Sequence, residues 1–213
     1  MEGAREAVAD ACRRLAREGL VHATAGNVSA RVDDHVIVTP TGAVLAELRP
    51  ELTTVVDMEG NVVEGELEPT SELFLHLGIY ERFDAGAVVH THSPVATALS
   101  CVVDEVPPVH YQMLAFGGGV RVAPYATFGS RELADGVHAA LEGRSAALMQ
   151  NHGAVCFAGD CGAATELALL LEWACEVYWR ARTIGDPRVL SDDELAGVVQ
   201  AVTERGYGQA SPR

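Results

Sequence analysis

Hydrophobic residues recur along the chain with the period of a helix in some segments and the period of a strand in others. Residues 4–18 place apolar side chains three, four and seven positions apart and end beside Gly19, which is typical of an amphipathic helix and its C-cap. The same periodicity predicts further helices over 71–82, 95–102, 130–141, 163–183 and 191–204. Apolar and β-branched runs predict strands within 35–42, 86–92, 145–150 and 154–159, and a hairpin over 53–65 that turns at Glu59-Gly60-Asn61.

The order of these elements favours an α/β fold in which a hairpin interrupts the alternation of strands and helices. We therefore predict a central mixed or antiparallel sheet flanked by helices on both faces. A length of 213 residues suits one domain, so residues 1–213 are predicted to fold together, with a short C-terminal tail from about residue 205. The glycine triplet at 117–119 lies between no clear strand and helix and does not indicate a dinucleotide-binding fold.

Composition and charge narrow the classes of function. Hydrophobic residues make up 48% of the chain and charged residues 21%, which indicates a folded protein. No apolar stretch is long enough to span a bilayer, and the N-terminus lacks a secretory apolar core, so we expect a cytoplasmic protein without a membrane partner. The net charge of −15 disfavours binding to nucleic acid. All 15 basic residues are arginine, so no lysine is available to form a Schiff base.

Two histidines one residue apart, His90 and His92, end the predicted strand at 86–92. Because side chains alternate along a strand, both imidazoles point to the same side and could bind one metal ion. His152 follows another apolar strand in a tight turn and is a candidate third ligand, and Glu72 in the first turn of a predicted helix is a candidate carboxylate ligand. Local packing of the histidines and a favourable interaction of Glu72 with the helix dipole remain open on these residues alone.

Two stretches of small residues, TAGNVSAR (24–31) and TPTGA (39–43), are predicted to be loops. Backbone N–H groups and hydroxyls in such loops can surround an oxyanion without any lysine, which suits a chain as acidic as this one. Each stretch taken alone is also compatible with an ordinary turn.

Eight short motifs follow one another along the chain: TAGNVS, TPTG, PTSE, VVHTHS, HYQMLAFGG, APYATFGSREL, NHG and a late YG. In this order they resemble the class II aldolase/adducin family. The resemblance extends from the first helix to Tyr207-Gly208 without a large gap. It implies the α/β fold of that family and a homotetramer with active sites between subunits.

The resemblance also implies roles for residues of this chain. The metal ligands would be Glu72, His90, His92 and His152, holding one Zn²⁺ per chain. Glu72 would be a ligand in the resting site and would serve as general acid/base once substrate displaces it from the metal. The phosphate-binding residues would be Gly26, Asn27, Thr41, Gly42, Thr70 and Ser71. Tyr111 and Tyr207 from a neighbouring subunit, together with Phe128, would flank the aldehyde portion, and Tyr111 would donate a proton to the aldehyde oxygen. The other histidines are interpreted as structural: His22, His35, His76, His110 and His138.

The activity that the resemblance implies is the reversible, zinc-dependent cleavage of a ketose 1-phosphate, such as L-fuculose 1-phosphate. The products would be dihydroxyacetone phosphate and an aldehyde such as L-lactaldehyde. Alternatives in the same family are an aldolase or dehydratase acting on a 5-deoxy- or methylthio-pentulose 1-phosphate, and a pentulose-phosphate 4-epimerase, although the epimerases carry an aspartate where this chain has Glu72. A non-catalytic, adducin-like binding domain would not need the four metal ligands.

Overall fold

The computed structural model describes residues 1–205, in which nine strands form one sheet. The strands are β1 (Asn27–Val32), β2 (His35–Val38), β3 (Thr54–Asp57), β4 (Val62–Glu64), β5 (Ala87–Thr91), β6 (Glu105–Val106), β7 (Val120–Ala123), β8 (Ala146–Met149) and β9 (Gly153–Ala158). Their order across the sheet is β4-β3-β2-β1-β5-β9-β8-β7-β6. Among these pairs β7 and β8 run parallel and the others antiparallel, so the predicted mixed sheet is confirmed.

Helices cover both faces of the sheet, as predicted. They are α1 (Glu2–Arg17), α2 (Leu73–Arg82), α3 (Pro94–Ser100), α4 (Arg131–Ala140), α5 (Cys161–Ile184) and α6 (Asp192–Arg205). Side chains of α1, α3 and α5 pack into one hydrophobic core on one face, and side chains of α2 and α4 pack into a second core on the other. Within residues 1–205, none of the helices combines the length and apolar character that crossing a membrane requires.

The central strand β5 is buried on both faces, which explains its nearly continuous run of apolar residues. Ala87 and Val89 belong to the core formed with α1, α3 and α5, whereas Val88 belongs to the core formed with α2 and α4. Because side chains alternate along a strand, His90 follows Val88 to the side of α2. The strand therefore delivers His90 to the face where the N-terminal end of α2 lies.

The stretch 24–31 is the main error in the predicted secondary structure. It was expected to be a loop, but Asn27–Val32 form strand β1 between β2 and β5. Val28 and Ala30 pack in one core, and the polar residues that alternate with them, Asn27 and Ser29, are buried on the opposite face. Small and polar residues can occupy a central strand here because hydrogen-bonding partners on α2 replace the apolar contacts that such a strand usually makes.

Two further differences concern segments near the site. The turn-rich stretch around 107–119 contains a 3₁₀ helix, Tyr111–Phe116, and leads into the short strand β7, which the interrupted apolar pattern did not predict. The helix expected over 71–82 begins at Leu73, so Glu72 is its N-cap residue instead of part of its first turn. The hairpin over 53–65 and the other predicted helices agree with the structure to within a few residues.

Candidate active site

Ends of several elements meet at one edge of the sheet and bring the predicted metal ligands together. His90 lies near the end of β5, and His92 follows that strand. Asn27, at the start of β1, is paired with His90. The turn between β8 and β9 carries His152, and β9 is the neighbour of β5. Glu72 approaches the same place from the N-terminus of α2.

The three imidazoles of His90, His92 and His152 surround one point. Their ring centroids are 4.8 to 4.9 Å apart, and each pair of rings meets edge to face. One nitrogen from each ring lies within 4.8 Å of the others, and the Nε2 atoms of His90 and His92 are 2.9 Å apart. Nitrogens that converge at this spacing form a group that could hold one metal ion.

Glu72 closes a fourth side of this group. Its Oε2 atom lies 3.1 Å from Nε2 of His90, and its Oε1 atom lies 3.5 Å from Nε2 of His152. The carboxylate is 6% exposed, and Oε1 has no hydrogen-bond donor. A buried carboxylate oxygen without a donor is costly, and a cation placed among the four side chains would satisfy it. Three nitrogens and one oxygen form a donor set that fits a divalent metal such as zinc.

The protonation of His92 and His152 suits metal binding. The Nδ1–H group of His90 donates to the carbonyl of Ala154 at 2.9 Å, which leaves Nε2 facing the centre. Burial, reinforced by the charge on His90, lowers the pKa of His92 and His152 to about 4, so both are neutral near pH 7 and have lone pairs for a metal. Burial disfavours charge on Glu72 and His90, but their mutual attraction prevails, lowering the pKa of Glu72 and raising that of His90.

Gly153 allows the β8–β9 turn to approach the histidines. A Cβ atom at this position would lie 2.2 Å from the carbonyl oxygen of Thr91 and 3.3 Å from both the His90 and the His92 rings. Only glycine therefore lets the two strands close over each other at the point where the imidazoles converge.

A cavity of about 340 Å³ adjoins the metal-binding group. Glu72, His92 and His152 line it, and so does every predicted phosphate-binding residue: Gly26, Asn27, Thr41, Gly42, Thr70 and Ser71. A backbone hydrogen bond joins the segment that carries Thr41 to the segment that carries Thr70. In it the N–H of Thr70 donates to the carbonyl of Thr39 at 3.1 Å. The described residues that line the cavity include no arginine, so an anion held here would depend on hydroxyl and backbone N–H donors.

The side chain of Asn27 has partners of its own within this wall. Its amide nitrogen donates to Oε2 of Glu72 at 3.0 Å, and its amide oxygen is hydrogen-bonded to Nε2 of His76. Asn27 is 6% exposed, so both ends of the amide are engaged below the cavity surface. Its predicted contact with phosphate stays a prediction, and its side chain is hydrogen-bonded to Glu72 and His76.

The predicted aldehyde-pocket residues lie in three different situations. Phe128 lines the cavity and is 68% exposed, beside Tyr125, which is 63% exposed and was not predicted. Asn151 also lines the cavity, and its place next to His152 was the only sequence signal for it. Tyr111, at the start of a 3₁₀ helix, is not among the described residues that line this cavity. Tyr207 and the predicted tail lie outside the described residues.

Comparison with known proteins relates this chain to class II aldolases. The family model described as "Class II Aldolase and Adducin N-terminal domain" matches residues 6–179. The chain is 40% identical over 210 residues to the 5-methylthioribulose-1-phosphate/5-deoxyribulose-1-phosphate aldolase of Rhodospirillum rubrum, across 98% of this chain and 95% of that protein. It is also 40% identical over 196 residues to the L-fuculose phosphate aldolase of Escherichia coli strain K12, across 91% of each chain.

A solved structure gives the same picture of the fold. The structure of an L-fuculose 1-phosphate aldolase matches this one with a TM-score of 0.91 and 33% sequence identity. The match covers 95% of this chain and 97% of that chain. The sequence resemblance to this family, drawn from short motifs, is therefore confirmed along nearly the whole chain.

Proposed function

Because the chain belongs to the family of class II aldolases and adducin N-terminal domains, we propose that it is a zinc-dependent aldolase. It cleaves a ketose 1-phosphate reversibly to dihydroxyacetone phosphate and an aldehyde. The observation that carries this proposal is the buried Oε1 atom of Glu72, which has no hydrogen-bond donor and faces three converging imidazoles beside a cavity. Such a group is typical of a site that binds a metal and a substrate, and it is not typical of a packed core.

The residues of the cavity and of the histidine group beside it have different roles in the proposed reaction. His90, His92 and His152 would hold the zinc ion, which would supply the Lewis acidity that polarises the ketose carbonyl. Glu72 moves a proton at C3, returning it to the enediolate of dihydroxyacetone phosphate after the carbon–carbon bond breaks. A Schiff-base mechanism is excluded, because the chain contains no lysine among its 15 basic residues.

Substrate binding rests on neutral groups. Thr41, Gly42, Thr70 and Ser71, with Gly26 and Asn27, surround the phosphate, and Phe128 flanks the aldehyde portion. Tyr111 and Tyr207 of a neighbouring subunit complete the pocket. In cleavage Tyr111 takes the proton of the hydroxyl that becomes the aldehyde, and in the reverse reaction it donates this proton to the aldehyde oxygen. With these roles we propose a homotetramer whose active sites lie between subunits.

Two kinds of ketose 1-phosphate remain candidates. L-Fuculose 1-phosphate is favoured by the resemblance to the aldolases of that name, and a 5-deoxy- or methylthio-pentulose 1-phosphate is favoured by the relative from R. rubrum at the same identity. Both share the phosphate and the ketone that the cavity is proposed to bind, and they differ in the aldehyde released. The glutamate at position 72 disfavours a 4-epimerase, because the epimerases carry an aspartate at this position.

The proposal predicts a metal-dependent cleavage that yields dihydroxyacetone phosphate. The purified protein should contain about one zinc per chain, because three histidines and a carboxylate complete a tetrahedral set. Incubation with L-fuculose 1-phosphate and with 5-deoxyribulose 1-phosphate should release dihydroxyacetone phosphate from at least one of them, and a chelator should stop the release. A protein without metal, or cleavage that persists in the chelator, would contradict the proposal. Metal without cleavage would favour a dehydratase or a binding domain.

A second prediction concerns Thr41, an exposed residue at the cavity. Thr41→Ala should raise KM for a phosphorylated ketose by about tenfold, the value of one hydrogen bond to a charged group, with a smaller change in kcat. Steady-state kinetics with the phosphorylated and the unphosphorylated ketose measure the difference. Thr183→Ala, at an exposed threonine of α5 outside the cavity, is the matched control. An equal effect of Thr41→Ala on both ketoses would remove Thr41 from the phosphate site.

A further inference from the structure

A ladder of buried polar side chains connects strand β1 to helix α2. Residues two apart in a strand share a face at a spacing of about 6.6 Å, and residues four apart in a helix share a face at about 6 Å. Asn27 and Ser29 on β1 therefore match the spacing of three residues on α2, namely Glu72, His76 and Tyr80. Each of the five side chains is at most 6% exposed.

Hydrogen bonds run through this ladder without a gap. From Glu72 the contacts pass to Asn27 at 3.0 Å, and from the amide oxygen of Asn27 to Nε2 of His76. From Nδ1 of His76 they pass to the Ser29 hydroxyl at 2.6 Å, and from there to the Tyr80 hydroxyl at 2.7 Å. A polar chain of this length is unusual between two apolar layers, because each unmade bond would be costly.

In the half of the ladder nearest the site, from His76 to Glu72, each N–H donor points toward the Glu72 carboxylate. An amide nitrogen only donates and an amide oxygen only accepts, so Asn27 donates to Glu72 and accepts from His76. The opposite orientation of the Asn27 amide would place its oxygen against the carboxylate oxygen of Glu72. His76 must therefore carry its proton on Nε2, and burial, which lowers its pKa to about 3, keeps the ring neutral.

In the other half of the ladder, from Tyr80 to His76, the donors point in the same direction. With the proton on Nε2, Nδ1 of His76 has a lone pair and accepts from the Ser29 hydroxyl. The Ser29 hydroxyl has one hydrogen, which it donates to His76, so it accepts from the O–H of Tyr80 at 2.7 Å. His76 is thus fixed in one tautomer by Ser29 on one side and fixes the Asn27 amide on the other.

The ladder makes the two oxygens of Glu72 inequivalent. Oε2 accepts from Asn27 and contacts His90, whereas Oε1 has no hydrogen-bond donor and lies 3.5 Å from Nε2 of His152. We propose that His76, acting through Asn27, is a positioning residue that locks the Glu72 carboxylate with Oε1 presented for proton transfer. The proposal rests on the proposed function, in which Glu72 moves the proton at C3.

The first test replaces His76 while retaining the metal ligands. His76→Leu should lower both cleavage and the exchange of the C3 proton of dihydroxyacetone phosphate with solvent by about 10- to 100-fold, the usual effect of a group that orients a ligand. KM for the phosphorylated ketose and the zinc content should stay unchanged. His76→Gln should restore part of the loss, because its amide nitrogen can take the place of Nε2.

The matched control is His138→Leu. His138 is also a buried histidine packed against α2, where its Nε2 donates to the carbonyl of Leu75 at 3.1 Å, but it belongs to no ladder. This variant should keep normal proton exchange. Equal losses in the two leucine variants would show that removing any buried histidine beside α2 disturbs the site, and would overturn the positioning role.

A double substitution separates this proposal from the proposed function. In a Glu72→Gln background, His76→Leu should cause no further loss of proton exchange, because the two residues act on the same step. If Glu72→Gln keeps normal exchange, the proposed role of Glu72 fails and the ladder has no carboxylate to position. If Glu72→Gln loses exchange and His76→Leu does not, the positioning role alone fails.

A measurement without turnover checks the ladder directly. The ¹⁵N shifts of labelled histidine should show His76 neutral with its proton on Nε2, and Ser29→Ala should weaken that preference. A neutral His76 with its proton on Nδ1 would reverse the donor order and overturn the proposal. Ser29→Ala also serves if His76→Leu does not fold, because it removes only a hydroxyl from the ladder and should lower proton exchange in the same way.

Discussion

Replacing His90 with alanine should leave a protein that no longer retains zinc and has lost nearly all cleavage activity. His90 is fully buried, and its Nε2 atom lies close to both His92 and Glu72, so it occupies the middle of the ligand group. We expect a loss greater than the roughly 100-fold effect of a group that only orients a metal ligand. Metal analysis and the rate of release of dihydroxyacetone phosphate measure the two losses.

The His90→Ala result needs a comparison, because the variant also removes a buried side chain that bonds to Ala154. His92→Ala is the second variant, since His92 lies at the cavity wall and its loss disturbs packing less. Both variants should lose zinc, and His138→Ala should retain it. If His90→Ala folds and binds zinc with the affinity of the unaltered protein, the three histidines are not the ligand set.

The pair His90 and His92 could be predicted from local geometry, whereas the addition of His152 and Glu72 as ligands followed from the family resemblance. His90 and His92 lie on one face because side chains alternate along a strand. His152 lies in the turn between two short apolar runs that predict strands. The structure brings all three together with Glu72, as expected. Their role as ligands stays a prediction for the experiments above.

Strand β1 was missed because its polar residues are stabilised by contacts distant in sequence. Asn27 and Ser29 contact α2 across 45 to 51 positions of chain, which no local pattern of hydrophobicity reports. The same distance explains why His76 was interpreted as structural. A signal was present, however, in the spacing of Glu72, His76 and Tyr80, three polar-tipped side chains four residues apart on one helix face.

The residues proposed to bind the aldehyde portion of the substrate could not all be located in the structure of one chain. Tyr111 lies outside the cavity lining of its own chain, and Tyr207 lies beyond the described residues. Their proposed roles depend on how copies of the chain assemble, and assembly is a property of surfaces that short motifs do not encode. Phe128 and Tyr125, by contrast, lie in one motif and both line the cavity.

Replacing Glu72 with glutamine separates metal binding from proton transfer at the same residue. The amide keeps the shape and one oxygen, but it is not basic. Asn27 donates to the side-chain oxygen at position 72, so the new amide should turn its NH₂ group toward the histidines, which still hold zinc. Cleavage should fall by roughly 10²–10⁴, the usual contribution of a positioned general acid/base, and exchange of the C3 proton should fall with it.

The coupled loss is what identifies Glu72 as the proton carrier, so zinc content and exchange must be measured on the same preparation. Glu166→Gln is the matched control, because Glu166 is an exposed carboxylate paired with Arg14 far from the cavity. A Glu72→Gln protein that keeps zinc and keeps normal cleavage and exchange would leave Glu72 only a favourable interaction with the dipole of α2. The proton would then have to move through another group, such as Tyr111 acting through a water molecule.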